Sequence, residues 1–226
     1  VPVITLEGES TVTLEVGTAY SDAGATAEDN YDGDITESIV TVNNVDTSVV
    51  GTYTVTYNVS DANGNVAVEV TRTVQIVDTT VPVITLEGES TVTLEVGTTY
   101  SDAGATAEDN YDGDITEAIV TVNNVDTSVV GTYTVTYNVS DSNGNVAVEV
   151  TRTVQIVDTT VPVITLEGES TVTLEVGTAY SDAGATAEDN YDGDITESIV
   201  TVNNVDTSVV GTYTVTYNVS DANGNA

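Results

Sequence analysis

An 80-residue period constrains this chain more than any other feature of its sequence. The segment that opens at Val1-Pro2-Val3-Ile4 restarts at Val81 and again at Val161. The first two copies differ only at Ala19/Thr99, Ser38/Ala118 and Ala62/Ser142, and the third follows the first until Ala226, where the others have Val66 and Val146. The period is too long for one unit of a solenoid and close to a small β domain, so each copy is expected to carry its own core. Domains are expected at 1–80, 81–160 and 161–226, the last stopping before its final strand. The chain then reads as a window onto a longer array, a simpler account of the third copy than a strand donated from outside.

Within a copy the hydrophobic period is two. Thr11–Val16 places Val12, Leu14 and Val16 on one face, and Thr52–Val59 places Tyr53, Val55, Tyr57 and Val59 inward with threonine outward. Further strands are expected at Ile4–Leu6, Ile39–Val45 and Val66–Val77, separated by Glu7-Gly8-Glu9-Ser10, Gly51 and Asp61-Ala62-Asn63-Gly64-Asn65. Outward threonine is what a half-buried strand prefers and needs no ligand to explain it. Arg72 shares the inward register of Val70 and Val74, so either a bulge turns it out or a carboxylate at the sandwich edge pairs with it. The Asn58-Val59-Ser60 sequon falls inside a strand and reads as coincidence.

Composition excludes several functions. Thirty-seven acidic residues face two basic ones, Arg72 and Arg152, for a net charge of −35. Nucleic acid and anionic membranes are bound through Lys and Arg, so neither is a partner. There is no His, Cys or Lys, hence no imidazole base, thiol nucleophile, Schiff-base amine or soft metal ligand. Catalysis is not expected, and disulfide or lysine cross-links are chemically impossible. No apolar run reaches the roughly 18 residues of a membrane span.

Gly51-Thr52-Tyr53-Thr54-Val55 opens the penultimate strand as the tyrosine corner of immunoglobulin-like sandwiches does, with Val55 where antibody domains carry a cysteine. The expected fold is all-β: tandem Ig-like Greek-key β-sandwiches in a rod-like array. The chain also resembles, over its whole length, the bacterial Ig-like surface repeats related to hyalin-repeat domains. The likeness rests on Pro2–Leu6, Val16–Ala27, Asp32-Gly33-Asp34-Ile35-Thr36, Gly51-Thr52-Tyr53 and Asp61–Asn65. That resemblance implies an extracellular, cell-surface spacer or adhesion module without enzymatic activity.

Two loops concentrate oxygen ligands: Glu28–Asp34 and Asp61–Asn65. In an Ig-like sandwich they share one pole, where the preceding domain enters through Val77-Asp78-Thr79-Thr80. A hard cation needing six to eight oxygens, Ca2+, fits such a pole. Neither loop is an EF-hand, since the twelfth position counted from Asp61 is Arg72; the arrangement is closer to cadherin-type junctions. The expected ligands are Asp78, Asp109, Asp112, Asp114, Asp141 and Asn143 at the first junction. At the second they are Asp158, Asp189, Asp192, Asp194, Asp221 and Asn223, and Asp29, Asp32, Asp34, Asp61 and Asn63 form the equivalent set facing an earlier repeat. Two alternatives stand beside calcium: solvated loops whose Asp, Asn and Gly serve turns, and adaptation to high salt, with Glu7, Glu9, Glu15, Glu37, Asp46 and Glu69 spreading charge outside the cluster. The expected partners are neighbouring repeats, with other copies in a filament or a surface ligand as further candidates. An adhesin or carbohydrate-binding module is the alternative function and needs exposed loop-tip aromatics, for which Tyr20 and Tyr31 are the candidates.

Overall fold

The computed structural model describes residues 1–226, and it is built almost wholly of strands. In the first repeat these are β1 (Val3–Leu6), β2 (Thr11–Glu15), β3 (Ala25–Asp29), β4 (Gly33–Asp34), β5 (Val40–Asn43), β6 (Gly51–Asn58) and β7 (Val70–Val77), with a 3-10 turn at Thr36–Ser38. One sheet runs β1-β3-β4 and the other β2-β7-β6-β5. β2 lies parallel to β7, Val12 opposite Val74, while β6 and β7 pair antiparallel with Val55 opposite Arg72. The two sheets close over Ile4, Ala27, Val55, Tyr57, Val59, Ala67, Val74 and Ile76. This is the Ig-like sandwich that the alternation predicts, and the phenol of Tyr53 donates to the carbonyl of Val49 at 3.0 Å as a tyrosine corner should.

Three details differ from expectation. Ala25–Asp29 is a strand paired with β1, although its small and charged residues carry little strand propensity; Ala27 is nevertheless buried opposite Ile4. The last strand begins at Val70, not Val66: before it Val66 pairs with Ser60 only as an isolated bridge, and Val68 is 83% exposed. Arg72 is neither bulged out nor at an edge: it sits inside the sandwich, 1% exposed. All five of its N–H donors are used. Nε donates to Glu9 O at 2.9 Å, one terminal nitrogen to Asp22 and to Tyr57 Oη, and the other to the carbonyls of Glu7 and Gly24. Tyr57 Oη in turn donates to Asp22 at 2.7 Å. The ion pair expected for Arg72 is thus with Asp22, 50 residues away in sequence.

The second repeat carries the same elements: β8 (Val83–Leu86), β9 (Thr91–Glu95), β10 (Ala105–Asp109), β11 (Gly113–Asp114), β12 (Val120–Val122), β13 (Gly131–Asn138) and β14 (Val150–Val157). The third has β15 (Val163–Leu166), β16 (Ala185–Asp189), β17 (Gly193–Asp194), β18 (Val200–Asn203) and β19 (Val215–Asn218). Thr171–Glu175, identical to β2, is not a strand there. Val172 and Leu174 are 54% and 41% exposed there. In the first two repeats the same sequence is a strand lying parallel to β7 or β14.

The chain divides into two compact units. One comprises Val1–Thr85, Ala105–Val120 and Tyr137–Val150, and the other Leu86–Gly104, Thr121–Thr136 and Thr151–Ala226. The loops of the second repeat that follow β10 and β13 thus belong with the first repeat, and Asp78, Asp109 and Asp141 lie in one unit. Asp158, Asp189 and Asp221 all lie in the other.

Candidate metal centre

The loop after β3 is a turn built on an aspartate. Asp29 Oδ1 accepts from the backbone N–H of Tyr31 at 2.9 Å and of Asp32 at 3.2 Å; Asp109 and Asp189 do the same for their own turns. The loop after β6 is built likewise. Asp61 Oδ1 accepts from the N–H groups of Asn63 and Asn65 at 3.0 and 2.8 Å, Oδ2 accepts from Asn65 Nδ2, and Gly64 takes φ +84°, open to a residue without Cβ. Asp32 ties the loops together by accepting from the N–H of Ala62 at 2.9 Å. Asp112 does so twice, from the N–H and hydroxyl of Ser142 at 2.7 and 2.8 Å.

A third segment arrives from the preceding repeat. The Glu15 carboxylate accepts from the N–H and hydroxyl of both Thr79 and Thr80 at 2.8–3.2 Å, and these bonds pull its pKa down to about 2. Glu95 holds Thr159 and Thr160 in the same way. The linker so directed sets Asp78 against the next repeat, where Asn143 Nδ2 donates to Asp78 Oδ2 at 2.9 Å and Asn145 Nδ2 to its carbonyl at 3.1 Å. Asn223 and Asn225 grip Asp158 equally, at 2.9 and 3.2 Å.

The result is two buried trios of carboxylates, Asp78–Asp109–Asp141 and Asp158–Asp189–Asp221, each with one oxygen per residue within 4.8 Å of the others. Such a set could hold a metal ion. In both trios one buried oxygen, Asp109 Oδ2 or Asp189 Oδ2, has no hydrogen-bond donor. A buried anionic oxygen without a donor is costly, and a cation removes that cost. Asp29 Oδ2 also has no hydrogen-bond donor, but the Val1 ammonium lies 3.1 Å from it as an ion pair. Burial raises the pKa of Asp141, and the bonds from the Asn145 side chain and from the N–H groups of Asn145, Asn143 and Gly144 outweigh it, so the net direction is down. Asp221 follows the same pattern.

Of the residues singled out in the sequence, the trios contain Asp78, Asp109, Asp141, Asp158, Asp189 and Asp221, and a third group joins Asp29, Asp32 and Asp61. Asn143 and Asn223 touch the linker acids. Asn63 lies in the third group's loop, with its N–H on Asp61. Asp112 and Asp192 brace one loop against the other, Asp192 by accepting from the N–H of Ala222 at 2.7 Å. Asp34, Asp114 and Asp194 stand apart: each is exposed and accepts from the N–H of the threonine two residues on at 3.0 Å. Glu15, expected only to spread charge outside the cluster, and its equivalent Glu95 hold the linkers, and Asn145 and Asn225 join the junctions without having been among the expected ligands. Asn145 was legible as the closing residue of Asp-x-Asn-Gly-Asn; Glu95 reads as one more outward strand residue. Of the two loop-tip aromatics, Tyr20 is packed against the core and donates to Asp22 at 3.0 Å, whereas Tyr31 is 83% exposed.

Sandwich sheets, a parallel β2–β7 edge, tyrosine corners and junctions made from two loops and a linker define a class of tandem Ig-like repeat. The family described as bacterial surface protein, Ig-like domain, matches residues 4–76, 84–156 and 164–226, and the chain belongs to it. It is 34% identical to the pesticidal crystal protein Cry22Aa of Bacillus thuringiensis over 91% of this chain and 28% of that protein. Hyalin of Strongylocentrotus purpuratus is 33% identical over 99% of this chain and 20% of its own length. For hyalin of Lytechinus variegatus the figures are 36%, 99% and 44%. The chain thus spans less than half of each of these relatives. No helix in it is long and apolar enough to cross a membrane.

Proposed function

We propose that this chain is a non-catalytic spacer of an extracellular surface protein, an array of 80-residue Ig-like modules whose junctions are stiffened by calcium. The observation that carries the reading is the orphaned, buried Oδ2 of Asp109 and of Asp189, each beside a linker acid and an acid of the following loop. Three carboxylates held this close repel one another unless a cation lies between them. Two oxygens bound to one Ca2+ at about 2.4 Å are at most about 4.8 Å apart, which matches the spacing of the trios. Turning the Asn143 amide over exchanges its Nδ2 for Oδ1 and supplies a neutral fourth oxygen without moving the backbone. With no His or Cys available, zinc and copper have no preferred ligands.

The ion joins three segments that come from two repeats, so its loss frees the joint and leaves the sandwiches folded. Titration calorimetry of the full chain with CaCl2 at fixed ionic strength should show saturable sites, with MgCl2 weaker, and Asp109→Asn should remove one of them. Solution scattering in chelator should show a shorter maximum dimension than in calcium. Calcium-independent scattering with no binding heat would leave the acids as solvated, salt-adapted surface and refute the stiffening.

A further inference from the structure

We infer that the tyrosine of the loop after the third strand, Tyr191 and by the same placement Tyr111, is a clasp that docks each repeat onto the main chain of the repeat before it, at a contact separate from the carboxylate trio. The three tyrosines have identical neighbours in sequence and different surroundings in space. Tyr31 is 83% exposed, Tyr191 is 37% exposed and Tyr111 is partly buried. The phenol of Tyr191 accepts a 3.4 Å hydrogen bond from the N–H of Val130, in the loop that leads into β13 of the preceding repeat.

That loop is a rigid receiver. Asp126 Oδ1 accepts from the N–H and hydroxyl of Ser128 at 2.9 and 2.6 Å, and the corner tyrosine, Tyr133, donates to Val129 O at 3.0 Å. The Val130 N–H is the donor that Tyr191 takes up. Tyr133 itself has a raised pKa, from burial first and then from the charges of Asp126 and Tyr191, which places the two phenols in one electrostatic neighbourhood. A tyrosine suits the task because its ring covers apolar surface while its oxygen satisfies a backbone donor.

The clasp and the trio share one aspartate. Asp189 Oδ1 accepts from the N–H of Tyr191 at 2.8 Å and so aims the tyrosine, and the same carboxylate is a member of the trio. A single carboxylate thus spans the two contacts, which together hold the repeat at two points where a lone linker would leave a swivel. The clasp needs no ion and does not rest on the calcium reading.

The test uses the full chain in chelator and again in calcium. Amide exchange of Val130 is followed by NMR, together with a distance distribution between spin labels on Asn124→Cys and Thr201→Cys, two exposed positions in a chain without natural cysteine. Tyr191→Ala should speed Val130 exchange by about tenfold and broaden the distribution in both buffers. Tyr191→Phe should speed exchange less and keep most of the width, and Tyr31→Ala should change neither. Unchanged exchange and unchanged width in Tyr191→Ala would overturn the clasp. Calcium titration of the same variants separates the two ideas, since a clasp effect without calcium heat sinks only the calcium reading.

Discussion

Replacing Asp22 with alanine should unfold the first repeat far below its neighbours. Arg72 is 1% exposed and spends every N–H donor on a protein acceptor, so removing Asp22 deletes its counter-charge and one acceptor together. It also strips Tyr57 Oη of the acceptor it reaches at 2.7 Å. Breaking a buried ion pair from one side costs about 3–5 kcal/mol. Asp22 is itself 18% exposed, so water can reach the gap and the low end, about 3 kcal/mol, applies. For a domain of this size each kcal/mol moves Tm by about 4–8 °C, a total of about 12–24 °C. Arg152 and Asp102 form the same pair in the second repeat, so the chain carries its own reference. Scanning calorimetry of the full-length variant should show one transition split off toward low temperature while another stays in place. Asp22→Asn keeps an acceptor and should cost about half as much. An endotherm that does not split, or that moves by less than about 3 °C, would refute the argument that this pair locks the sandwich.

Glu95→Ala should speed amide exchange at Thr159 and Thr160, measured by NMR, because it removes the acceptor for both N–H groups and both hydroxyls. The Glu15 and Glu95 pKa values of about 2 lie below the ordinary 4.5, so their anchoring is complete above pH 4.5 and fades as pH falls toward 2, as exchange at Thr79 and Thr159 should report. The Asp22 carboxyl is also depressed: burial raises it, but bonds from Tyr57 and Tyr20 and the charge of Arg72 lower it further, so its stabilisation too is lost only as pH falls through the folded value. Tyr53→Phe removes the bond to Val49 O and should cost about 1 kcal/mol in chemical denaturation.

The sandwich was legible because its strands bury one face each: Val55, Tyr57 and Val59 alternate with threonine, and period two allows no other reading. The tyrosine corner was legible because a local geometry demands a local motif. β3 was not, since Ala25–Asp29 is held by its place beside β1 and not by its own side chains. The partner of Arg72 was hidden for a similar reason: nothing in a one-dimensional pattern points across 50 residues to Asp22. At the junction, Asp78, Asp109 and Asp141 were readable as an oxygen-rich pole, but the same clustering also drew in Asp114, whose carboxylate serves the turn at Thr116. Counting acids finds a pole; only the backbone around each acid tells a free oxygen from one already committed to a turn.

Asp109 and Asp189, each in a turn held by its own Oδ1, stand with the linker acids Asp78 and Asp158 that the preceding repeats supply. The joint is therefore a property of a pair of repeats and not of one. Its three acids come from segments that already have independent anchors: the turn after β3, the Asp-x-Asn-Gly-Asn loop, and the linker fixed by Glu15 or Glu95. Anchors of that kind hold the acids in place against their mutual repulsion, so on the calcium reading the ion meets a site already arranged and loses little affinity to ordering it. A mutation in an anchor should accordingly weaken calcium binding without touching a ligand, and Glu15→Gln, which keeps the carbonyl acceptor but drops the charge, should weaken it less than Glu15→Ala. Equal affinities for the two variants and the unmodified chain in calcium titration would mean that the linker reaches its place without Glu15.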